Sequence, residues 1–192
     1  MTRRINAEAL ALIKRWEGLK LTAYRCEAGA LTIGYGSARD VRPGQVITQV
    51  EAERRLLEDL ARFEAAIERM VRVPLTDGQF GALVSWAFNV GENAAARSAL
   101  IRKLNALDYD AVPAELMRWN KIGKRVVPGL TNRRAAEAGL WARGSHVASA
   151  TVAPVPAVAT VADAAATGTG RAALGVGAAG AIATAAQAVP LI

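Results

Sequence analysis

The strongest constraint on the fold is an abrupt change of composition after residue 144. All four Trp, all three Phe and all three Tyr of the 192 residues lie before that point. Residues 145–192 include 18 Ala but only one base, Arg171, and one acid, Asp163, so the formal net charge of +7 belongs to the first part. Because a core needs large apolar side chains, the sequence predicts one globular domain over residues 1–144.

The rest of the chain divides into two predicted segments. Residues 145–171, rich in Ala, Pro and Thr, are typical of a linker. Residues 172–192 carry no charge and are numerous enough to cross a bilayer, but they are mostly Ala and Gly. A membrane helix and a disordered or surface-associated tail both stay open for this last segment.

Cysteine and histidine usage excludes several chemistries. Cys26 is the single cysteine, and His146, the single histidine, lies beyond the domain. An internal disulfide, a cysteine-based zinc site and Ser-His catalysis are therefore not expected, and we predict no metal and no cofactor. Charges interrupt the apolar residues near the N-terminus, which argues against a signal peptide and predicts synthesis in the cytoplasm.

The first part of the domain combines a helix with short strands. Asn6 is placed to cap a helix that ends near Trp16. Residues 18–37 alternate Thr, Tyr, Leu and Ile around glycines, which is typical of short antiparallel strands and turns. This stretch predicts one small N-terminal sheet.

Helical signals dominate the remainder. Capping boxes at residues 48–51 and 76–79 begin two helices. The first of these helices ends before Pro74, and the second ends at Gly91. The second helix is apolar on all sides, which predicts a central, buried position. Further helices are predicted over residues 98–106, 110–119 and 132–141. The fold class is α+β, mainly α.

Three residues could carry chemistry. Glu17 falls on the apolar stripe of the first helix, where an acid is either salt-bridged at a rim or held in an apolar pocket that favours its protonated form. Cys26 and Thr32 follow in the predicted strand region. Taken singly, these residues are also typical of a solvated helix end, a small buried side chain and a strand position.

Their order resembles the active-site signature of phage-type lysozymes, the endolysins of glycoside hydrolase family 24. Eight residues separate Glu17 from Cys26, and five separate Cys26 from Thr32, which precedes Ile-Gly-Tyr-Gly. The resemblance covers about residues 5–142. Further blocks similar to the family follow in the same order, at residues 78–91, 98–105, 118–119 and 129–141.

The resemblance implies a helical body in which the small sheet forms one wall of a cleft. It implies an endolysin that hydrolyses the β-1,4 bond between N-acetylmuramic acid and N-acetylglucosamine, lysing a bacterial host for phage release. Glu17 would be the general acid, while Cys26 and Thr32 would hold or activate the water. Cys26 departs from the commoner Asp, and a thiol is a poorer base than a carboxylate at neutral pH.

Two other functions stay open at this point: a lytic transglycosylase acting on the same bond, and a catalytically inactive wall-binding module. The resemblance further implies that Arg133 pairs with the catalytic acid, and that Asn89, with Phe88 beside it, contacts the glycan. The plain alternatives are a surface arginine at a helix start and an ordinary helix end.

A basic run suggests a polyanionic partner. Residues 116–136 contain six bases and no acid, which suits a bacterial wall, an outer leaflet or phosphates. Because aromatic residues are not interleaved with these bases and no nucleic-acid-binding motif is evident, we expect no nucleic-acid partner. The bases are Arg118, Lys121, Lys124, Arg125, Arg133 and Arg134.

The remaining predictions concern location. The expected partner is the peptidoglycan glycan strand, met in the periplasm by a monomer. The resemblance implies release through a holin pore, and tethering at the inner membrane by residues 172–192 is the alternative.

Overall fold

The computed structural model describes residues 3–26 and 29–145. Two antiparallel strand pairs lie in these ranges: β1 (Lys20–Arg25) with β2 (Leu31–Gly34), and β3 (Lys121–Ile122) with β4 (Arg125–Val126). Seven helices form the body of the described residues: α1 (Ala7–Glu17), α2 (Gln49–Met70), α3 (Asp77–Val90), α4 (Glu92–Ala96), α5 (Ala99–Asn105), α6 (Val112–Met117) and α7 (Pro128–Ser145). The predicted class, mainly helical α+β with a small N-terminal sheet, is confirmed.

The predicted linker and the segment 172–192 lie outside the described residues. Across residues 3–26 and 29–145, none of the helices is both long enough and apolar enough to cross a bilayer.

The first helix brings Glu17 to the edge of the core. The Asn6 side chain accepts a hydrogen bond from the backbone N–H of Ala9 at 2.9 Å, so the predicted cap is confirmed. Ala9 and Ile13 are fully buried. Because residues four apart share a helix face, Glu17 continues this buried stripe as the last residue of α1.

Helix α3 is the centre of the molecule, as its uniformly apolar sequence predicts. Thr76 and Gln79 form the predicted capping box, and residues 79–87 are all buried. Helices α7 and α1 both pack against α3. A Cβ placed on Gly81 would lie 2.4 Å from the Cβ of Ala9, so α1 and α3 meet at a contact that only glycine permits.

The first sheet is a hairpin extended by one more segment. Tyr24 lies opposite Thr32 in the β1–β2 ladder. Val46 makes an isolated antiparallel bridge with Thr22 on the other side of β1. The sheet packs closely on α2 at Gly34. A Cβ placed on Gly34 would lie 3.2 Å from the Cβ of Ala52.

Several boundaries differ from the prediction. Helix α7 begins at Pro128, four residues before the predicted start, because proline suits the first position of a helix. Helix α6 is shorter than predicted, and α4 and the β3–β4 hairpin were not predicted. Helix α4 and the strands β3 and β4 are too short to show a hydrophobic period.

Candidate active site

The site is built around an ion pair between two residues that are far apart in the chain. Nη2 of Arg133, on α7, lies 2.8 Å from Oε1 of Glu17 at the end of α1. The Glu17 side chain is 22% exposed, whereas that of Arg133 is 5% exposed. The carboxylate therefore reaches the surface while its partner approaches it from within the protein.

Arg133 is held from behind by buried groups. Its Nη2 donates to the backbone oxygen of Ser85 at 3.3 Å, and its Nε donates to Oε1 of Glu137 at 3.3 Å. The Ser85 hydroxyl donates to the same Glu137 oxygen at 2.8 Å. Glu137 lies one helical turn beyond Arg133, on the same face of α7. The guanidinium that meets Glu17 thus has a defined orientation.

A second arginine, Arg134, connects this buried cluster to the exposed residue Asn89. Arg134 is completely buried, and its Nη2 donates to Glu137 Oε1 at 3.3 Å and to Asn89 Oδ1 at 2.8 Å. Because arginine can only donate, the Asn89 amide must turn its oxygen inward and its NH₂ group outward. Asn89 itself is exposed at the end of α3, so its donor group is available to a ligand.

The cluster is costly to bury. Desolvation raises the pKa of Glu137 and lowers the pKa of Arg134, despite their mutual attraction at 3.1 Å between Arg134 Nε and Glu137 Oε2. Buried ion pairs of this kind contribute little net stability. The arrangement is better explained by the orientation it gives to Arg133 and Asn89.

The β1–β2 hairpin carries the other two candidate residues. Thr32 is almost completely buried, and its hydroxyl donates to the backbone oxygen of Tyr24 at 3.3 Å. Cys26 follows β1, is partly exposed, and donates its backbone N–H to Ala30 at 2.9 Å. Since Thr32 faces Tyr24, and Cys26 is two residues beyond Tyr24, both lie on one face of the hairpin as diagonal neighbours.

A groove of about 570 Å³ lies near Glu17, which is not itself one of its lining residues. Gly36 lines it, and a Cβ on Gly36 would lie 4.0 Å from Glu17 Oε2. The ring of Phe88 lines the groove as well and packs edge-on against Phe63, with 5.1 Å between ring centroids. The other lining residues are Ala38, Phe63 and the charged residues Arg39, Glu58, Asp59 and Arg62.

The predicted basic run does not form one surface. Arg133 and Arg134 are buried in the cluster behind Glu17, so only the bases before them face solvent. The run is divided because α7 turns these two side chains toward α3. Trp119 packs edge-on against Trp86, with 5.5 Å between ring centroids.

The comparisons with known proteins address the same region. The sequence profile of the phage lysozyme family matches residues 14–137, which is more than half of the chain and includes every site residue described above. The chain belongs to the phage lysozyme family. An endolysin of Acyrthosiphon pisum secondary endosymbiont phage 1 is 46% identical over 141 residues, covering 71% of this chain and 97% of that protein.

Solved structures of phage lysozymes and related muramidases have the same fold. A mutant of P22 lysozyme aligns with a TM-score of 0.69 and 36% identity, covering 73% of this chain and 99% of that one. The muramidase domain of SpmX from Asticaccaulis excentricus aligns with a TM-score of 0.69 and 32% identity, covering 72% and 97%. This phage lysozyme is accordingly an endolysin and a lysozyme-type glycoside hydrolase.

Sequence reasoning missed part of the site of this phage lysozyme. Ser85 and Glu137 were not singled out, although Glu137 follows Arg133 and Arg134 at the spacing of one helical turn. That spacing was a usable signal for a charge cluster, but it does not show which face of the helix is buried. The oxygen of Ser85 that meets Arg133 belongs to the backbone and has no signature in the sequence.

Proposed function

We propose that the chain hydrolyses the β-1,4 bond between N-acetylmuramic acid and N-acetylglucosamine in peptidoglycan. The observation that carries the proposal is the partly exposed Glu17 carboxylate, paired with a buried arginine beside the groove. A glycosidic bond breaks through an oxocarbenium-like transition state whose leaving oxygen must receive a proton. Glu17 is the group available to give that proton.

Glu17 has two oxygens in different surroundings. Oε1 meets Arg133, while Oε2 lies on the side of Gly36 and the groove. In our proposal the proton is transferred from Oε2 to the glycosidic oxygen, and the carboxylate that remains is stabilised by the Arg133 charge. Ser85 and Glu137 act as positioning residues because they orient Arg133.

Thr32 and Cys26 are proposed to direct the water. The Thr32 hydroxyl donates its hydrogen bond to the backbone oxygen of Tyr24, so the lone pairs of the hydroxyl oxygen are left to accept a hydrogen bond from a water molecule. Cys26, a diagonal neighbour on the same hairpin face, supplies a sulfur that is a better proton acceptor once it is a thiolate. The exposed NH₂ group of Asn89 and the ring of Phe88 are proposed glycan contacts.

The test of the reaction is product analysis. The full chain is incubated with purified peptidoglycan, and the soluble products are separated and identified by mass spectrometry. We expect muropeptides that end in reducing N-acetylmuramic acid, because the reaction adds water. Anhydro-muramic ends as the main product would show a lytic transglycosylase, and undigested peptidoglycan would show an inactive wall-binding module.

A further prediction concerns the thiol of Cys26. Cys26→Ser should lower hydrolysis by about 100-fold, because a serine hydroxyl does not ionise near neutral pH and cannot replace a thiolate as a base. Folding should be unchanged, because Cys26 is partly exposed. Since Cys26 is the only cysteine, alkylation of the wild-type chain should have the same effect. The measurement is the rate of turbidity loss of permeabilised cells.

Two controls accompany this prediction. Cys26→Asp, which restores the commoner residue of the resembling family, should keep activity, and the alkylating reagent should not affect it. Full activity of Cys26→Ser with an unchanged thermal midpoint would remove Cys26 from the mechanism.

We also propose that the enzyme acts as a monomer in the periplasm, since its substrate lies outside the cytoplasmic membrane. Two routes to the periplasm are proposed: exit through a holin pore, and attachment to the inner membrane by residues 172–192. Membrane fractionation of cells producing residues 1–192 or 1–145 separates them, because only attachment makes membrane recovery depend on the last segment.

A further inference from the structure

The β3–β4 hairpin is an exposed cationic feature of the described residues. Lys121, Lys124 and Arg125 are all exposed, and among the described residues none of the three forms an ion pair with an acid. Ile122 is 70% exposed and Val126 is 51% exposed, which is unusual for aliphatic side chains. Unpaired cations beside exposed aliphatic groups indicate a surface that another molecule covers.

The hairpin has a defined shape. Ile122 lies opposite Arg125, and the two-residue connection between them begins with Gly123 at φ +60°. A positive φ at the first central position alone is the geometry of a type II′ turn, which requires glycine there and matches the twist of the strands. Lys124 is therefore presented at the tip.

The hairpin is tied to the helix that carries Arg133. The backbone N–H of Val127 donates to Asn120 at 2.9 Å, and the Asn120 side chain donates to the Thr131 hydroxyl at 3.2 Å. Helix α7 begins at Pro128, so Arg133 follows after a rise of about 8 Å. A glycan bound at Glu17 would thus have this cationic hairpin close by.

The distribution of side chains favours a hydrated polyanion over a membrane surface. Residues opposite each other share a face of the hairpin, so one face has Ile122 with Arg125 and the other has Lys121 with Val126. A membrane-surface segment collects its apolar side chains on a single face. Here each face instead pairs one cation with one aliphatic group.

We infer that this hairpin binds the carboxylates of the peptides attached to the glycan strand, with Ile122 and Val126 contacting the aliphatic parts of those peptides. The inference rests on the proposed function, since it names a second part of the same substrate. Peptidoglycan peptides carry free carboxylates and small apolar side chains. A depression lined by Ile122, Arg125 and Val127 offers both kinds of contact.

The experiment measures binding of the full chain to intact sacculi by co-sedimentation, in a Glu17→Gln background so that the sacculi stay whole. The triple variant Lys121→Gln, Lys124→Gln, Arg125→Gln should bind about tenfold more weakly at low salt. Two further results are expected. The difference should vanish near 1 M salt, where screening is strong. Conversion of the sacculus carboxylates to amides should reduce binding of the parent chain to the level of the triple variant.

Matched variants separate the hairpin from net charge. Replacing Arg72, Arg97 and Arg102 with Gln removes the same charge from exposed positions elsewhere and should leave binding unchanged. A charge-keeping triple variant, Lys121→Arg, Lys124→Arg, Arg125→Lys, should bind like the parent. Thermal midpoints of all variants report whether folding is preserved.

The inference is overturned if the glutamine triple variant binds sacculi like the parent, or if the control triple variant weakens binding equally. The same co-sedimentation is carried out with vesicles containing phosphatidylglycerol. The inference is also overturned if the glutamine triple variant loses binding only to these vesicles and not to sacculi. Failure of the proposed function has a different outcome. If the wild-type chain leaves peptidoglycan undigested but its binding to sacculi still depends on the hairpin charges, the proposed hydrolysis is wrong and the inference about the hairpin stands.

Discussion

Glu17→Gln should lower peptidoglycan hydrolysis by on the order of 10³-fold, the largest effect expected from any single side chain here. The amide has the size and shape of the carboxyl group but cannot give up a proton to the leaving oxygen at the required moment. The fold should persist, because Arg133 keeps its contacts with Ser85 and Glu137 when Glu17 loses its charge. The measurement is the rate of reducing-end release from purified peptidoglycan, with the thermal midpoint recorded for each variant.

Helix α1 supplies a matched control for this substitution. Glu8, near its other end, is also paired with an arginine, at 2.6 Å from Arg143, but it lies away from the groove lining. Glu8→Gln should therefore retain the full rate. If Glu17→Gln kept more than about a tenth of the wild-type rate with a preserved fold, Glu17 would not be the proton donor.

Local signals in the sequence were sufficient for the elements on which the site is built. Asn6 and the Thr76–Gln79 pair mark helix starts through side-chain hydrogen bonds with near neighbours, which depend only on a few adjacent residues. The uniform apolar character of α3 likewise predicts its central position. The placement of Glu17 on the buried stripe of α1 follows from helical periodicity alone.

The rest of the site depends on contacts between distant segments. Arg133 could be assigned to Glu17 only through the family resemblance, because 116 positions separate them and no local pattern joins them. Arg133 and Arg134 read as surface charges in the sequence, and only the packing of α7 on α3 shows that they are internal. The hairpin that we assign to the peptides has strands of two residues, below the length at which alternation can be recognised.

The contact between α1 and α3 is another such long-range feature, and it leads to the second large prediction. Alanine in a helix interior is normally favoured over glycine by about 1 kcal/mol. At Gly81, however, the new Cβ would lie 2.4 Å from that of Ala9, and neither group can rotate away. Forcing two helices apart in a packed core costs about 3 kcal/mol. Gly81→Ala should therefore lower the free energy of unfolding by about 2 kcal/mol.

The same substitution should also impair catalysis, because displacement of α1 moves Glu17 relative to Arg133, which α7 holds against α3. Chemical denaturation and the hydrolysis rate below the unfolding transition measure the two effects. Gly139→Ala is the matched control: its Cβ meets nothing within 4 Å, so it should increase stability by up to about 1 kcal/mol.

The double variant Ala9→Gly, Gly81→Ala decides whether the close approach is the cause. Moving the methyl group from one helix to the other restores the space between them, so stability should return to within about 1 kcal/mol of wild type, and the hydrolysis rate should recover. The two substitutions should therefore couple by about 3 kcal/mol. Additive effects would mean that the loss in Gly81→Ala arises elsewhere. A Gly81→Ala variant more stable than wild type would mean that α1 and α3 have room for the methyl group, and that Glu17 is positioned by something other than this contact.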